Sequence, residues 1–135
     1  ESGTTDCKLL VIDDNEEIRN ILVDIFSPLY TVETASDGKE GYEKVKVMQP
    51  DLVISDIMMP VMDGLTASKK IRAMERPDAK TIPIIAMTAN SFAEDVQASL
   101  DAGMNAHLSK PIVIDEVIKT ILRYVDTSTF GTRNK

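Results

Sequence analysis

Five side chains capable of phosphate or metal chemistry follow short apolar runs in this sequence. Asp13 and Asp14 follow the first run, Asp56 the third, Thr88 the fourth and Lys110 the fifth. The carboxyl ends of parallel strands lie at one edge of a sheet, and ligands bind there. If the runs are parallel strands, three carboxylates, one hydroxyl and one ammonium converge on a single site.

The sequence between these side chains indicates that the apolar runs are parallel strands. Five apolar runs alternate with segments of helical period, which is typical of a parallel sheet with helices on both faces. The predicted strands are residues 8–12, 30–35, 51–55, 82–87 and 106–109. The segment 30–35 alternates polar and apolar residues, which predicts an edge strand.

Helix signals complete the predicted organisation. Residues 18–26 and 114–125 carry apolar side chains at three- and four-residue spacing. Ser91 and Glu94 have the spacing of a capping box, and Gly103 suits the end of the same helix. We expect one domain over residues 7–126, preceded by a linker or tail at 1–6 and followed by a flexible tail at 127–135, because both ends are small, polar and aperiodic.

Composition excludes several function classes. The 135 residues carry a net charge of −7, with lysine and arginine scattered, which argues against direct nucleic-acid binding. No apolar run approaches the roughly 18 residues of a membrane span, so we expect no membrane contact. The single cysteine, Cys7, cannot form an internal disulfide, and a cytoplasmic location is expected.

The acidic cluster predicts a metal site. Two unit charges about 4 Å apart repel by roughly 4 kcal/mol at an effective dielectric near 20, so three clustered carboxylates need more positive charge than Lys110 supplies. Mg²⁺ is the natural candidate because it accepts one or two carboxylates and keeps waters that phosphate can replace. Such a site suits phosphoryl transfer.

Asp56 is the predicted nucleophile, since a carboxylate can form an aspartyl phosphate and this one stands alone at its strand end. It is followed by "IMMP", in which Pro60 favours an extended conformation for the preceding residue. The backbone carbonyl of Met58 is then a further predicted metal ligand.

Four motifs together resemble the receiver domain of two-component response regulators. They are "VIDDNEEIR", "DLVISDIMMPVMDG", "PIIAMTAN" and "AHLSKPI", and the resemblance spans about residues 8–125. It implies a flavodoxin-like, doubly wound α/β fold of (βα)5 type, with a five-stranded parallel sheet of order 2-1-3-4-5.

The resemblance also implies a function. Asp56 would accept a phosphoryl group from a phosphohistidine on a histidine kinase or histidine phosphotransfer domain. Asp14 would bind Mg²⁺ directly, Asp13 partly through water, and Asp56 and the Met58 carbonyl would complete the protein ligands. Thr88 and Lys110 would hold the phosphoryl oxygens; the family also suggests a cis bond from Lys110 to Pro111. The only catalysis expected is self-catalysed phosphotransfer and autodephosphorylation, followed by a change of conformation.

One position departs from the commonest pattern of the family. The residue three before Lys110 is often Tyr or Phe, and here it is His107. Histidine at this position resembles the receivers of hybrid histidine kinases, as does the stretch from "AMTANSF" to "AHLSKP". A receiver within a hybrid kinase is therefore favoured over a stand-alone response regulator.

Three other functions fit the residues less well. A Mg²⁺-dependent phosphohydrolase with an aspartyl phosphate usually has a second acid two residues after the nucleophile, where this chain has Met58. A flavin or nucleotide binder would need glycines after the first strand, and this chain has "DDNEE" there. A degenerate receiver that acts only as an interaction module would lack part of the acceptor site, which is complete here.

Overall fold

A computed structural model describes residues 7–57, 62–75, 77–88 and 93–124. Within them, strands and helices alternate along the chain. The strands are β1 (Lys8–Ile12), β2 (Thr31–Ala35), β3 (Leu52–Asp56), β4 (Ile84–Thr88) and β5 (Ala106–Ser109). The helices are α1 (Glu16–Phe26), α2 (Gly38–Val47), α3 (Gly64–Arg72), α4 (Asp78–Thr81), α5 (Ala93–Asp101) and α6 (Ile114–Tyr124).

The five strands form one parallel sheet in the order β2-β1-β3-β4-β5, which confirms the predicted fold. β2 lies at the edge, as its alternating sequence predicted. The strand order reverses between β1 and β3, where Leu9 pairs with Leu52 and Ile12 with Ser55. In a doubly wound sheet this reversal opens a crevice at the carboxyl ends of the two strands. The first and third predicted strand ends therefore lie side by side.

Helices cover both faces of the sheet and form two apolar cores. On one face, Leu22 and Phe26 of α1 and Val117 and Ile121 of α6 pack against alternate strand residues. On the other face, Val45 of α2 and Ile71 of α3 belong to the second buried cluster, together with alternate strand residues. Because both faces are buried, β3 and β4 have no exposed residue, which explains why their sequences lack alternation.

Side-chain caps fix the helix starts next to the strand ends. Asn15, Asp37 and Asp63 precede α1, α2 and α3, and each accepts hydrogen bonds from amides of the first turn. The predicted end of α5 is confirmed, since Gly103 has a φ of 92°, a conformation that favours glycine. The predicted capping residue Ser91 lies outside the described residues.

Some boundaries differ from the sequence prediction. Asp56 and Thr88 are the last residues of their strands rather than the first residues beyond them. The short helix α4 was not predicted, because four residues between two prolines are too few to show a helical period. The predicted linker at 1–6 and tail at 127–135 lie outside the described residues. No helix within the described ranges combines the length and hydropathy that a membrane span requires.

Candidate active site

The three predicted acids meet at the reversal of strand order. Asp13 and Asp14 follow β1, Asp56 ends β3, and each offers one carboxylate oxygen within 4.8 Å of the others. Asp13 is fully buried and Asp56 is 5% exposed, whereas Asp14 is exposed to solvent. The cluster thus has two buried members and one member open to ligands from solution.

Backbone and side-chain contacts fix Asp13 in place. Its amide donates to the carbonyl of Ala35 at 3.0 Å, and its Oδ1 accepts from the amide of Asn15 at 2.8 Å. Its carbonyl accepts from Nη1 of Arg19 at 2.6 Å. Its remaining oxygen, Oδ2, accepts no hydrogen bond from the described part of the chain. A fully buried carboxylate oxygen without a hydrogen bond is costly, so this atom needs a positively charged neighbour.

Lys110 joins the two buried acids. Its Nζ lies 3.3 Å from Asp13 Oδ2 and 3.2 Å from Asp56 Oδ2, and its side chain is 22% exposed. Burial alone would lower the pKa of the Lys110 ammonium, but the charges of Asp13 and Asp56 outweigh it and raise the pKa. Lys110 therefore stays protonated and supplies one positive charge against three carboxylates.

The electrostatic balance at Asp56 is unfavourable to its charge. Burial raises the pKa of its carboxyl, the charge of Asp13 raises it further, and the attraction of Lys110 only partly opposes these effects. Asp14 adds a smaller repulsion of the same sign. One ammonium, shared between Asp13 Oδ2 and Asp56 Oδ2, does not neutralise three carboxylates. The residues present therefore fit a cation, and the cluster could bind a metal ion.

Thr88 and Lys110 lie next to each other at the ends of β4 and β5. Thr88 is buried, with 5% of its surface exposed, and its carbonyl accepts from the Lys110 amide at 2.9 Å. The peptide bond between Lys110 and Pro111 is cis, as the family resemblance suggested. These two strands bring the predicted hydroxyl and ammonium to the same sheet edge as the acids. The predicted ligand Met58 lies outside the described residues.

His107 lies on β5 but outside the acidic cluster. It is half-buried and lines a cavity of about 510 Å³ between β5 and α6, together with Glu116, Thr120 and Arg123. It is not a member of the group of potential metal ligands that Asp13, Asp14 and Asp56 form in the described part of the chain.

Two glycines that the sequence did not single out for the site allow close backbone contacts near it, Gly64 with Asp56 and Gly38 with Met62. Gly64 begins α3, its amide donates to the carbonyl of Ile57 at 2.9 Å, and a Cβ atom there would overlap the Asp56 carbonyl oxygen. Gly38 begins α2, its amide donates to the carbonyl of Met62 at 2.9 Å, and a Cβ atom would overlap that oxygen. The "DG" pairs at 37–38 and 63–64 were the available signal, but they also mark ordinary turns.

The arrangement has the parts needed for phosphoryl transfer to a carboxylate. A buried carboxylate stands beside an ammonium, a hydroxyl and a group of acids that could hold a metal ion. Transfer of a phosphoryl group depends mainly on positioning and on neutralising charge, and these groups supply both. The loop after β1 contains no glycine, so a nucleotide phosphate has no backbone approach there.

Comparisons with known proteins agree with this geometry. The family model for the response regulator receiver domain matches residues 9–122. The chain is 36% identical to the sensor histidine kinase RcsC of Escherichia coli over 126 residues, which are 93% of this chain and 13% of RcsC. This chain therefore spans a small part of that curated relative.

Solved structures share the fold. The chemotaxis protein CheY4 of Vibrio cholerae superposes with a TM-score of 0.83 at 32% identity, covering 89% of this chain and 99% of CheY4. The receiver domain of the Pseudomonas aeruginosa sensor histidine kinase PA1611, solved with a magnesium ion coordinated in its active site cleft, has a TM-score of 0.80 at 30% identity. That match covers 90% of this chain and 98% of the other. The strand order, the converging carboxylates and these matches lead to one conclusion: this chain belongs to the response regulator receiver domains of two-component systems.

Proposed function

We propose that Asp56 is the phosphoryl acceptor of this receiver domain. The observation that supports it most directly is the position of its carboxylate, held by Lys110 at 3.2 Å and within 4.8 Å of two further acids. Burial and the neighbouring charges raise the pKa of Asp56. A carboxylate of higher pKa is more basic, and a more basic carboxylate is a better nucleophile once it is ionised.

The donor we propose is a phosphohistidine on a histidine kinase or histidine phosphotransfer domain. A carboxylate oxygen of Asp56 attacks phosphorus, and the bond between phosphorus and the imidazole nitrogen breaks. The imidazole leaves with the electron pair of that bond and takes up a proton. Lys110 then pairs with a phosphoryl oxygen, and the Thr88 hydroxyl donates to another, where charge-assisted hydrogen bonds are strongest.

Mg²⁺ is the metal we propose for the acidic cluster. Asp13, Asp14 and Asp56 would hold it, and the ion would supply positive charge to the transferring phosphoryl oxygens. All the offered ligand atoms are oxygens, which suits a hard divalent cation, and the single ammonium of Lys110 leaves the three carboxylates with a net negative charge. The coordinated magnesium in the related PA1611 receiver supports the same assignment. The Met58 carbonyl completes the proposed ligand set.

Phosphorylation is proposed to act as a conformational switch. Thr88 ends β4 on the side that leads toward α5, so movement of its hydroxyl toward a phosphoryl group changes the packing next to that helix. The phosphoryl group shifts the population between two packings, as expected for a bistable element. We propose that this domain is cytoplasmic and that its parent protein is a hybrid histidine kinase, because the similar RcsC is a sensor histidine kinase that contains a segment like this chain.

The acceptor assignment can be tested with a small phosphodonor. The protein is incubated with acetyl phosphate and Mg²⁺, and its intact mass is measured over time. We expect one added phosphoryl group in the natural sequence and none in Asp56→Asn. A matched control is Asp51→Asn, since Asp51 precedes the same strand at its opposite end and its carboxylate accepts from the Lys8 amide at 2.8 Å.

The control variant should still gain one phosphoryl group. Continued phosphorylation of Asp56→Asn would place the acceptor elsewhere. Steady turnover of general phosphatase substrates would instead favour a phosphohydrolase. That class usually has an acid two residues after the nucleophile, where this chain has Met58.

A further inference from the structure

Arg19 is the last residue of the motif "VIDDNEEIR" and has no role in the chemistry described above. It lies on α1, one turn after the helix begins, and its side chain is half-buried. Its guanidinium turns back to the end of β1, where Nη1 donates to the backbone carbonyl of Asp13 at 2.6 Å. A hydrogen bond from a charged donor at this distance is among the stronger kinds.

The carbonyl that Arg19 holds belongs to the peptide between the two adjacent acids. On the preceding side, the Asp13 amide donates to the carbonyl of Ala35, and beyond Asp14 the amide of Asn15 donates to the side-chain Oδ1 of Asp13. Rotation of the peptide that follows would move the exposed Asp14, and the hydrogen bond from the Asn15 amide to Asp13 also restrains this segment. The bond from Arg19 opposes that rotation.

The charge of Arg19 and its hydrogen bond have opposite effects on a cation at this site. A positive charge near a cation-binding cluster repels the cation, so the field of Arg19 alone would weaken Mg²⁺ binding. Its hydrogen bond holds Asp13 and Asp14 in one relative orientation before the ion binds. Binding then loses less conformational entropy, which favours a higher affinity for the ion. Removal of the side chain therefore strengthens or weakens binding according to which effect is larger.

We propose that Arg19 is a positioning residue for the metal-binding carboxylates, and that its hydrogen bond to the Asp13 carbonyl outweighs the repulsion of its charge. The inference rests on the proposed function, because it takes Mg²⁺ as the ion that Asp13 and Asp14 hold. The charge of the half-buried guanidinium also acts on the Glu40 carboxylate, which offsets part of its repulsion of a cation, whereas the hydrogen bond acts directly on the chain between the two ligands. Loss of the bond therefore loosens the site.

The test is a calorimetric titration of Mg²⁺ into the whole chain and its Arg19→Met variant. Methionine keeps most of the apolar stem and removes both the donor and the charge. We expect the dissociation constant for Mg²⁺ to rise by about 5- to 10-fold, the effect of losing roughly one hydrogen bond. The phosphorylation rate with acetyl phosphate at saturating Mg²⁺ should stay within about twofold of the natural value, because Arg19 touches no reacting atom.

Two further variants separate positioning from charge. Arg123→Met removes an exposed arginine of α6, and therefore the same net charge, and should leave Mg²⁺ affinity unchanged. Arg19→Lys keeps the charge and one flexible donor, so its affinity should lie between those of the natural chain and the methionine variant. A purely structural role of Arg19 would change the thermal midpoint in EDTA without this graded effect on affinity.

The outcomes of the titration separate a failure of the Arg19 proposal from a failure of the proposed Mg²⁺ site. Arg19→Met binding Mg²⁺ as tightly as the natural chain, or more tightly, would overturn the positioning role. If Arg19→Met does not fold, Arg19→Gln replaces it, and an unchanged affinity in that variant overturns the proposal equally. A natural chain that binds no Mg²⁺ would instead refute the proposed metal itself, a failure visible before any Arg19 variant is compared.

Discussion

Asp56→Asn should stabilise the protein when Mg²⁺ is absent. At the largest separation of 4.8 Å, repulsion between the carboxylates of Asp56 and Asp13 is about 3.5 kcal/mol at an effective dielectric near 20. The exposed Asp14 adds about 1 kcal/mol at most, because solvent screens it. Lys110 at 3.2 Å offsets about 5 kcal/mol. These charges nearly cancel, so the burial of the Asp56 carboxylate decides the sign.

The raised pKa of Asp56 shows that this balance is unfavourable to its charge. Asparagine has almost the same shape and no charge, so the variant avoids the cost of a buried carboxylate. We expect a gain of about 1 kcal/mol in the free energy of unfolding, which raises the melting temperature by roughly 3–6 °C for a domain of this size.

Thermal unfolding in EDTA and in Mg²⁺ is the appropriate assay. With Mg²⁺ at about 100 times its dissociation constant, the natural chain gains about 2.7 kcal/mol, and the variant, which lacks one ligand charge, gains less. The order of stability should therefore reverse when the ion is added. Lower stability of Asp56→Asn in EDTA would refute the electrostatic argument.

The stability difference between the natural chain and Asp56→Asn should also depend on pH. Because the pKa of Asp56 is raised in the folded state, the folded protein binds more protons than the unfolded chain between the two pKa values. The stability cost of the Asp56 charge is thus fully present above the raised pKa and disappears as the pH falls toward the ordinary carboxyl value. The advantage of the asparagine variant should shrink over that same range, and a gap that is constant with pH would contradict the assignment.

Other substitutions probe the remaining parts of the site. Lys110→Met leaves two buried carboxylates without their shared counter-charge and should destabilise the Mg²⁺-free protein by about 3–5 kcal/mol in urea unfolding; unchanged stability would mean that the ion pairs contribute little. Gly64→Ala places a Cβ atom against the Asp56 carbonyl and should cost about 1–3 kcal/mol as well as slow phosphorylation by acetyl phosphate, and a natural rate would contradict that contact. Thr88→Ala should lower the same rate by about 10-fold, with recovery in Thr88→Ser; equal rates in all three would remove the hydroxyl from the mechanism.

Much of the site could be predicted because it depends on topology. Parallel strands carry their carboxyl ends to one edge, so residues that follow apolar runs are neighbours even when they are far apart in sequence. This reasoning placed Asp13, Asp56, Thr88 and Lys110 together, and the ion pairs of Lys110 confirm it for the two buried acids. Exact strand ends could not be predicted, since an acid or threonine can be the last residue of a strand or the first of a loop.

Contacts of single residues with distant backbone carbonyls could not be predicted, because no periodicity or motif in the sequence links the two partners. Gly64 and Gly38 resemble ordinary turn residues, and their contacts with the Asp56 carbonyl and the Met62 carbonyl exist only after the helices are placed. Arg72 is a comparable case outside the site. Its guanidinium donates to the carbonyls of Ala79 and Gly103 and so ties α3 to the segment that follows α5. Sequence periodicity identifies which face of a helix is buried, but not which backbone oxygen a long polar side chain reaches.

The same features that cost stability at the site are the ones that the proposed phosphoryl transfer requires. A fully solvated acid would have an ordinary pKa and no fixed neighbours, whereas the burial of Asp56 raises its basicity and Lys110 keeps it oriented. If Lys110 neutralised the cluster completely, no charge would remain to bind a cation. The balance of three carboxylates against one ammonium leaves the domain stable enough to fold and sufficiently acidic to bind a metal ion. Variants that reduce the repulsion among these carboxylates should therefore be more stable without metal and bind a metal ion more weakly. An acidic cluster that serves to bind metal should show this opposite change in stability and affinity, whereas a cluster without that role should show only the change in stability.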